Sequence, residues 1–345
     1  MTIAAETRKA LFAGRDWITT QEWTDAELGV MLDVAGDLKH RFKSRVPHRY
    51  LADQTIFLMF FDKSTRTRNS FEAGMTQLGG HAHFLTADVM QVSHGESAKD
   101  TGIILSRYGH GIAIRHDLIP GEGNAYMREV ARWADKPVIN MQCDIDHPCQ
   151  TLADLMTIRE KRGADLRGLK VAVTWAYAPS YAKPLSVPQG LIMLLPRFGM
   201  DVTLAHPPEY HLMPETTQAA RENAARGGGG FRVVDSIEEA FRGADVVIPK
   251  SWGCLDTMGA NPAESLRIAK QYTTWICDSA RMKLARPDAL YMHPLPADRG
   301  NEVTDEVIDG PNSVVYDEAE NRLHTAKAIM ALTMSDRDIE YEVHA

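Results

Sequence analysis

The chain has 345 residues, enough for two domains of ordinary size, each with its own core. With 44% hydrophobic and 24% charged residues it has the make-up of a soluble globular protein, and a formal net charge of -8 without any cluster of lysines and arginines argues against a general nucleic-acid binder. The stretch Met1 to Lys9 lacks the long apolar core of a signal peptide and no run approaches the length that spans a bilayer, so a cytoplasmic location without membrane contact is expected.

In chain order, residues 21–43 predict a long helix opened by Thr20 or Thr24. The apolar run Ile56 to Phe60 predicts a short buried strand. It leads into Phe61-Asp62-Lys63-Ser64-Thr65-Arg66-Thr67-Arg68, where Ser64 opens an amphipathic segment with Phe71, Met75 and Leu78 on one face. Gly79-Gly80 ends that helix, and strand and helix then alternate: strands at 81–86, 111–115 and 138–141, helices at 97–108, 124–134 and from His147-Pro148 to about Arg162. The stretch 163–168 is expected to be the boundary between a first domain, 1–162, and a second, 163–317. Beyond it, strands are expected at 171–175, 201–205, 231–234, 245–249 and 290–293, and a last helix at about 318–334 should return to complete the first domain. Both halves read as doubly wound parallel sheets of the α/β class, which bind ligands outside the carboxyl ends of their strands.

Two stretches interrupt the alternation. Ala178 to Pro188 is a proline-rich loop too long for a simple turn. Gly227 to Gly230 reads as a surface turn, since it neither follows a strand nor has the G-x-G-x-x-G spacing of a dinucleotide site, which weighs against a nicotinamide-dependent dehydrogenase. Cys143, Cys149, Cys254 and Cys277 show no paired spacing and are expected to be reduced and buried, without structural zinc.

The chemistry concentrates at strand ends. A helix N-terminus presents unpaired N–H groups and the positive end of its dipole to an anion. After the first strand, Ser64, Thr65 and Thr67 add hydroxyls, and Arg66 and Arg68 add guanidinium forks matched to phosphate. Arg115 ends another strand. His147 and Gln150 lie about one helical turn apart in His147-Pro148-Cys149-Gln150, and His293-Pro294-Leu295-Pro296 closes the last strand of the second half. Singly, each has a plain structural explanation as a cap, a surface cation or a stop; jointly they point to a phosphorylated small molecule.

In this order and spacing, the four motifs resemble the aspartate/ornithine carbamoyltransferase superfamily over nearly the whole chain. The resemblance implies a domain for carbamoyl phosphate, a domain for an amine substrate, a homotrimer with sites at subunit interfaces, and neither cofactor nor metal. Carried over by motif, Ser64, Thr65, Arg66 and Thr67 would hold phosphate, and Arg115 would reach both phosphate and carbonyl oxygen. His147 and Gln150 would contact the carbamoyl group, and the main-chain carbonyls at Pro294 and Leu295 would take its amide hydrogens. Arg322 resembles a further contact from the last helix, and Gln91 resembles a residue of a loop that enters a neighbouring subunit's site. Arg66, Thr67, Arg115 and His147 would be the catalytic set, and the Leu295–Pro296 bond is expected to be cis.

Ordinary ornithine enzymes carry an Asp and a Ser-Met-Gly where this chain has Lys250-Ser251-Trp252-Gly253, and a Cys where it has Pro294. With Trp175-Ala176-Tyr177 and the proline-rich loop, these residues resemble the knotted branch, which includes acetyl- and succinylornithine transcarbamylases and the YgeW-type enzymes. The resemblance implies a backbone knot and an amine-substrate pocket with Lys250, Ser251 and Trp252. 2,3-Diaminopropionate is the first expectation for the acceptor, with ornithine or an N-acylornithine second and a carbamoyl-phosphate sensor without turnover third.

Overall fold

Thr55 begins a strand whose residues Ile56, Leu58 and Met59 are fully buried, the near-continuous apolar run of a parallel sheet covered on both faces. The computed structural model describes residues 5–180 and 182–344, so Tyr181 of the proline-rich loop and the first four residues of the N-terminal stretch lie outside the described residues. The chain divides into two units. One takes in the chain up to Asp117, Gly121–Ala153 and the chain from Glu320 on; the other takes in Leu118–Pro120 and Asp154–Ala319.

In the first unit the elements run α1 (Ala5–Phe12), α2 (Asp25–Lys43), β1 (Thr55–Phe60), α3 (Arg66–Gln77), β2 (His81–Thr86), α4 (Ala98–Tyr108), β3 (Gly111–His116), α5 (Gly123–Trp133) and β4 (Val138–Cys143). All strand pairs are parallel, in the order β2-β1-β3-β4. The order reverses between β1 and β3, and a crevice opens at such a reversal because the flanking connections leave to opposite faces. Met59, Ile112, Ile114, Met127, Val130 and Val138 form the core beneath it. Of the two candidate caps for α2, Thr24 is used. Its side chain accepts from the Glu27 N–H, Glu27 returns a carboxylate to the Thr24 N–H at 2.7 Å, and Thr20 starts a separate short 3-10 turn.

Helix α6 (Pro148–Arg162) carries the chain from the first unit into the second, and the division falls within it, between Ala153 and Asp154. The sequence reading placed the boundary at the end of that helix. There follow β5 (Lys170–Trp175), α7 (Ser186–Leu194), β6 (Asp201–Ala205), α8 (Pro214–Gly227), β7 (Gly230–Val234), α9 (Ile237–Phe241), β8 (Val246–Lys250), α10 (Pro262–Ala269), α11 (Ser279–Met282), β9 (Leu290–Tyr291), α12 (Asp305–Ile308) and α13 (Val315–Met334). This parallel sheet has the order β7-β6-β5-β8-β9, reversing between β5 and β8. Its core includes Ala172, Phe241, Val247, Tyr291, Val303 and Ile308.

Two expectations change in detail. The strand predicted through His293 stops at Tyr291, because the His293 N–H donates to the Glu318 carboxylate at 2.8 Å instead of to a neighbouring strand. The glycine run does form a turn, with Gly228 at φ +74° ending α8, but it is packed as well as exposed. A Cβ at Gly229 would lie 2.3 Å from the Met200 carbonyl oxygen, which only glycine avoids. Among the described residues, no helix is long and apolar enough to cross a membrane.

Candidate active site

The turn between β1 and α3 sits at the carboxyl end of the first sheet, at its reversal. Thr65 is the N-cap of α3 by position, yet its side chain makes no capping hydrogen bond, so its exposed hydroxyl is not spent on its own helix. Ser64 and Arg66 are half-buried and Thr67 is buried. Lys63, Ser64, Thr65, Arg68, Thr86 and Asp88 are among the residues around a cavity of about 550 Å³ at this turn. Arg68 is committed differently from the sequence expectation. Its Nε lies 3.1 Å from Glu72 and its guanidinium sits 3.5 Å over the Phe84 ring, so the fork is directed along its own helix and onto β2.

Arg115 is held at the end of β3 by a two-pronged pair with Asp117, at 3.1 and 3.0 Å, while its remaining terminal nitrogen donates to Ser64 Oγ at 3.3 Å. The link joins the ends of β1 and β3 across the reversal. Asp117 is 1% exposed, and its N–H donates to the Asp62 carboxylate at 3.1 Å. Burial pushes the Asp117 carboxyl up to about 7; Arg115 pulls it down and Asp62 adds to the rise.

His147 precedes α6, and its carbonyl accepts the N–H of Gln150 at 2.9 Å and of Thr151 at 3.1 Å, which places His147 and Gln150 on one turn as expected. Both are buried. Arg322, on α13, donates to Gln150 Oε1 through one terminal nitrogen and to Thr67 Oγ1 at 2.8 Å through the other. Thr67, Gln150 and Arg322 therefore form one buried hydrogen-bonded set of the first unit, and His147 is buried on the same turn as Gln150. Gln91 stands apart, on an exposed 3-10 turn (Gln91–His94) between β2 and α4.

In the second unit, Lys250 ends β8 beside Trp175 of β5, again at a reversal, and the Lys250 carbonyl accepts the Ala176 N–H at 3.1 Å. Lys250 is half-buried, with Nζ donating to the Ser251 carbonyl at 3.0 Å. Ser251 and Trp252 are each 1% exposed; the Trp252 indole donates to the Tyr210 carbonyl at 2.8 Å and its carbonyl accepts the Trp175 indole at 3.0 Å. The proline-rich loop meets this segment where the Gly253 N–H donates to the Lys183 carbonyl at 2.9 Å. Pro294 is buried and Leu295 half-buried, in a turn with the cis Leu295–Pro296 bond anticipated from the sequence and with Leu295 at φ +51°. Left-handed backbone at a leucine costs roughly 1–2 kcal/mol and persists only where the surroundings impose it. The Leu295 N–H donates to His293 Nδ1 at 2.9 Å, one such constraint.

Sequence reasoning missed Asp62, Asp117, Lys183, Asp298 and Glu302. Asp117 carried a signal, since residues two apart at a strand end share a face with Arg115. The others carried none, because their partners, apart from the Asp298–Glu302 contact, are distant in sequence. All four cysteines are buried and free, and among the described residues no group of His, Cys, Asp and Glu is placed to hold a metal ion.

Comparison with known proteins identifies the family. Residues 15–160 match the family described as aspartate/ornithine carbamoyltransferase, carbamoyl-P binding domain, and residues 183–333 match its Asp/Orn binding domain. The chain is 42% identical over 340 residues to YgeW of Escherichia coli (strain K12), itself named a carbamoyltransferase only provisionally, covering 88% of this chain and 86% of that one. Ornithine carbamoyltransferase from Pyrococcus furiosus superposes with a TM-score of 0.84 at 40% identity, covering 93% of this chain and 97% of that one. Acetylornithine transcarbamylase complexed with acetylcitrulline superposes with a TM-score of 0.86 at 36% identity, covering 93% of this chain and all (100%) of that one. With both domains matched and the strand-end residues arranged as described, the chain belongs to the aspartate/ornithine carbamoyltransferase family and is a carbamoyltransferase.

Proposed function

We propose that the chain transfers the carbamoyl group of carbamoyl phosphate to the amine of a small amino acid, with 2,3-diaminopropionate as the first candidate acceptor. The observation that carries this reading is the buried Arg322–Thr67–Gln150 set, in the unit that also bears the anion turn and Arg115. A neutral amine attacks the carbonyl carbon, a C–N bond forms, the C–O bond to phosphate breaks, and phosphate leaves with that electron pair while the amine loses its proton. No protein nucleophile is required. Ser64, Thr65, Arg66 and the α3 N-terminus would take up charge on phosphate, and Thr67, Arg115 and His147 would stabilise the oxyanion. Gln150 and Arg322 would orient the carbamoyl group, and the carbonyls at Pro294 and Leu295 would accept its amide hydrogens.

Lys250 is the acceptor-side residue whose ammonium suits a substrate carboxylate, with Ser251 and Trp252 forming the wall behind it. Trp252 would act by shape, since its indole N–H is already used. A second reading, ornithine or an N-acylornithine as acceptor, is favoured by the ornithine and acetylornithine enzymes among the relatives. Gln91, exposed on its turn, is available to a neighbouring subunit, and a homotrimer working without cofactor is part of the proposal. The test is ureido-product formation from carbamoyl phosphate with ornithine, acetylornithine, succinylornithine, putrescine, aspartate and 2,3-diaminopropionate, with Arg66→Ala as control. Turnover of one amine, lost in the control, establishes reaction and acceptor together; calorimetric binding of carbamoyl phosphate with no turnover of any amine overturns 2,3-diaminopropionate and ornithine as acceptors and leaves an acceptor outside the panel or a sensor.

A further inference from the structure

Glu302 lies between β9 and α12 and is wholly buried, at 0% exposure. Its Oε1 accepts the Ser251 N–H at 2.6 Å and faces His293 Nε2 at 3.4 Å. Its Oε2 accepts the Asp298 N–H at 2.7 Å and lies 3.5 Å from Lys183 Nζ. Lys183 in turn pairs with Asp298 at 2.7 Å. One carboxylate thus gathers three separate loops of the second unit: the segment after β8 with Lys250 and Ser251, the proline-rich loop with Lys183, and the turn from His293 to Asp298.

The protonation states are consistent with a permanent anion. The Leu295 N–H points at His293 Nδ1, so that nitrogen is the unprotonated acceptor and Nε2 carries the hydrogen toward Glu302. Burial keeps the His293 imidazole neutral. Burial also works against ionising Glu302, but the His293 N–H facing it and the Lys250 and Lys183 charges outweigh it and hold the carboxyl well below the usual range. Such a group costs a great deal to bury unless its oxygens are satisfied, and here two main-chain N–H groups and a lysine donate to them, with the imidazole 3.4 Å away.

Resting on the carbamoyl-transfer reading, we propose that Glu302 is the positioning residue of the acceptor side: it sets the Lys250–Ser251 segment against the proline-rich loop and the turn at Asp298, and does not itself touch the carbamoyl donor. An amide at this place would turn its NH₂ toward either the Ser251 or the Asp298 N–H, donor against donor. The isostere should therefore fail while the shorter carboxylate partly succeeds.

The experiment compares wild type, Glu302→Gln, Glu302→Asp and Lys183→Met, using the acceptor found in the amine panel. Loss of one charge-assisted anchor predicts that acceptor kcat/KM falls about tenfold or more in Glu302→Gln, mainly through acceptor KM. Carbamoyl phosphate affinity by calorimetry should stay within about twofold, because the Leu295 turn keeps its own bond to His293 Nδ1 and no donor contact is removed. Glu302→Asp should recover part of the loss. Should Glu302→Gln fail to fold, Lys183→Met, which removes a single arm, must raise acceptor KM in the same direction. Unchanged acceptor KM in the folded variants, or equal loss of donor affinity and acceptor use, overturns the proposal. Absence of turnover in wild type with every amine of the panel would instead overturn the acceptor reading on which it rests.

Discussion

Arg322 and Thr67, 255 residues apart in sequence, meet at 2.8 Å as a buried guanidinium donating to a hydroxyl oxygen. The contact ties the middle of α13 to the first turn of α3, just past the anion turn. A residue from near the chain's end thereby fixes the rotamer of a hydroxyl near its beginning.

Replacing that guanidinium by a point charge should be costly. Arg322→Lys cannot reach Thr67 Oγ1 and Gln150 Oε1 in one planar fork, and each charge-assisted bond contributes about 1.5–3 kcal/mol. The expected outcome is a rise of about ten- to a hundredfold in KM for carbamoyl phosphate, with acceptor KM little changed, measured by initial rates with each substrate varied in turn against a saturating level of the other.

Asp117 predicts a pH dependence at the donor side. Burial pushes its carboxyl up to about 7, so the proton that breaks its pair with Arg115 arrives as pH falls through that value. Donor kcat/KM should decline below about pH 7, and in Asp117→Asn the decline should flatten at a lower plateau. Stability has the opposite sense. The folded value lies above the ordinary 3.8, so the folded state keeps its proton longer and this group's contribution falls as pH rises from 3.8 to about 7. Urea melts of the two proteins across that window check the sign.

Lys327 is buried on α13, its Nζ donating to the Leu38 carbonyl at 3.2 Å beside His48 Nε2 at 3.2 Å, and burial pulls its ammonium down to about 7. The folded state therefore releases this proton before the unfolded chain does. Between about pH 7 and the ordinary 10.5, this group should make the protein more stable as pH rises, by at most about 1.4 kcal/mol per pH unit. Lys327→Met should abolish that slope in thermal or urea melts; an unchanged slope would mean that Lys327 titrates normally.

Gly123 starts α5 where the chain passes close behind β3. A Cβ there would lie 1.8 Å from the His116 carbonyl oxygen and 3.1 Å from Asp144 Oδ1. Backbone cannot give way as a side chain can, so Gly123→Ala should lower stability by at least the roughly 1–3 kcal/mol typical of overpacking. A melting temperature within a degree of wild type would refute the close approach.

What the sequence determined by itself was whatever arises within one or two neighbouring elements. The run Ile56 to Phe60 followed by Ser64 to Thr67 specified strand, turn and helix, because burial periodicity and an open helix N-terminus are local properties. His147 and Gln150 shared a turn for the same reason, and the alternation of strands and helices was enough for two parallel sheets. Composition argued against a general nucleic-acid binder without any structure. Tertiary structure decided whatever needed two distant segments to meet, or water to be removed. It chose Thr24 over Thr20 as the cap, laid Arg68 over Phe84, and stopped the last strand at Tyr291. It gave Glu302 its partners, Ser251 at 51 and Lys183 at 119 residues' separation. Asp117 became a carboxyl titrating near 7, since desolvation belongs to a place in the packed molecule and not to a residue type.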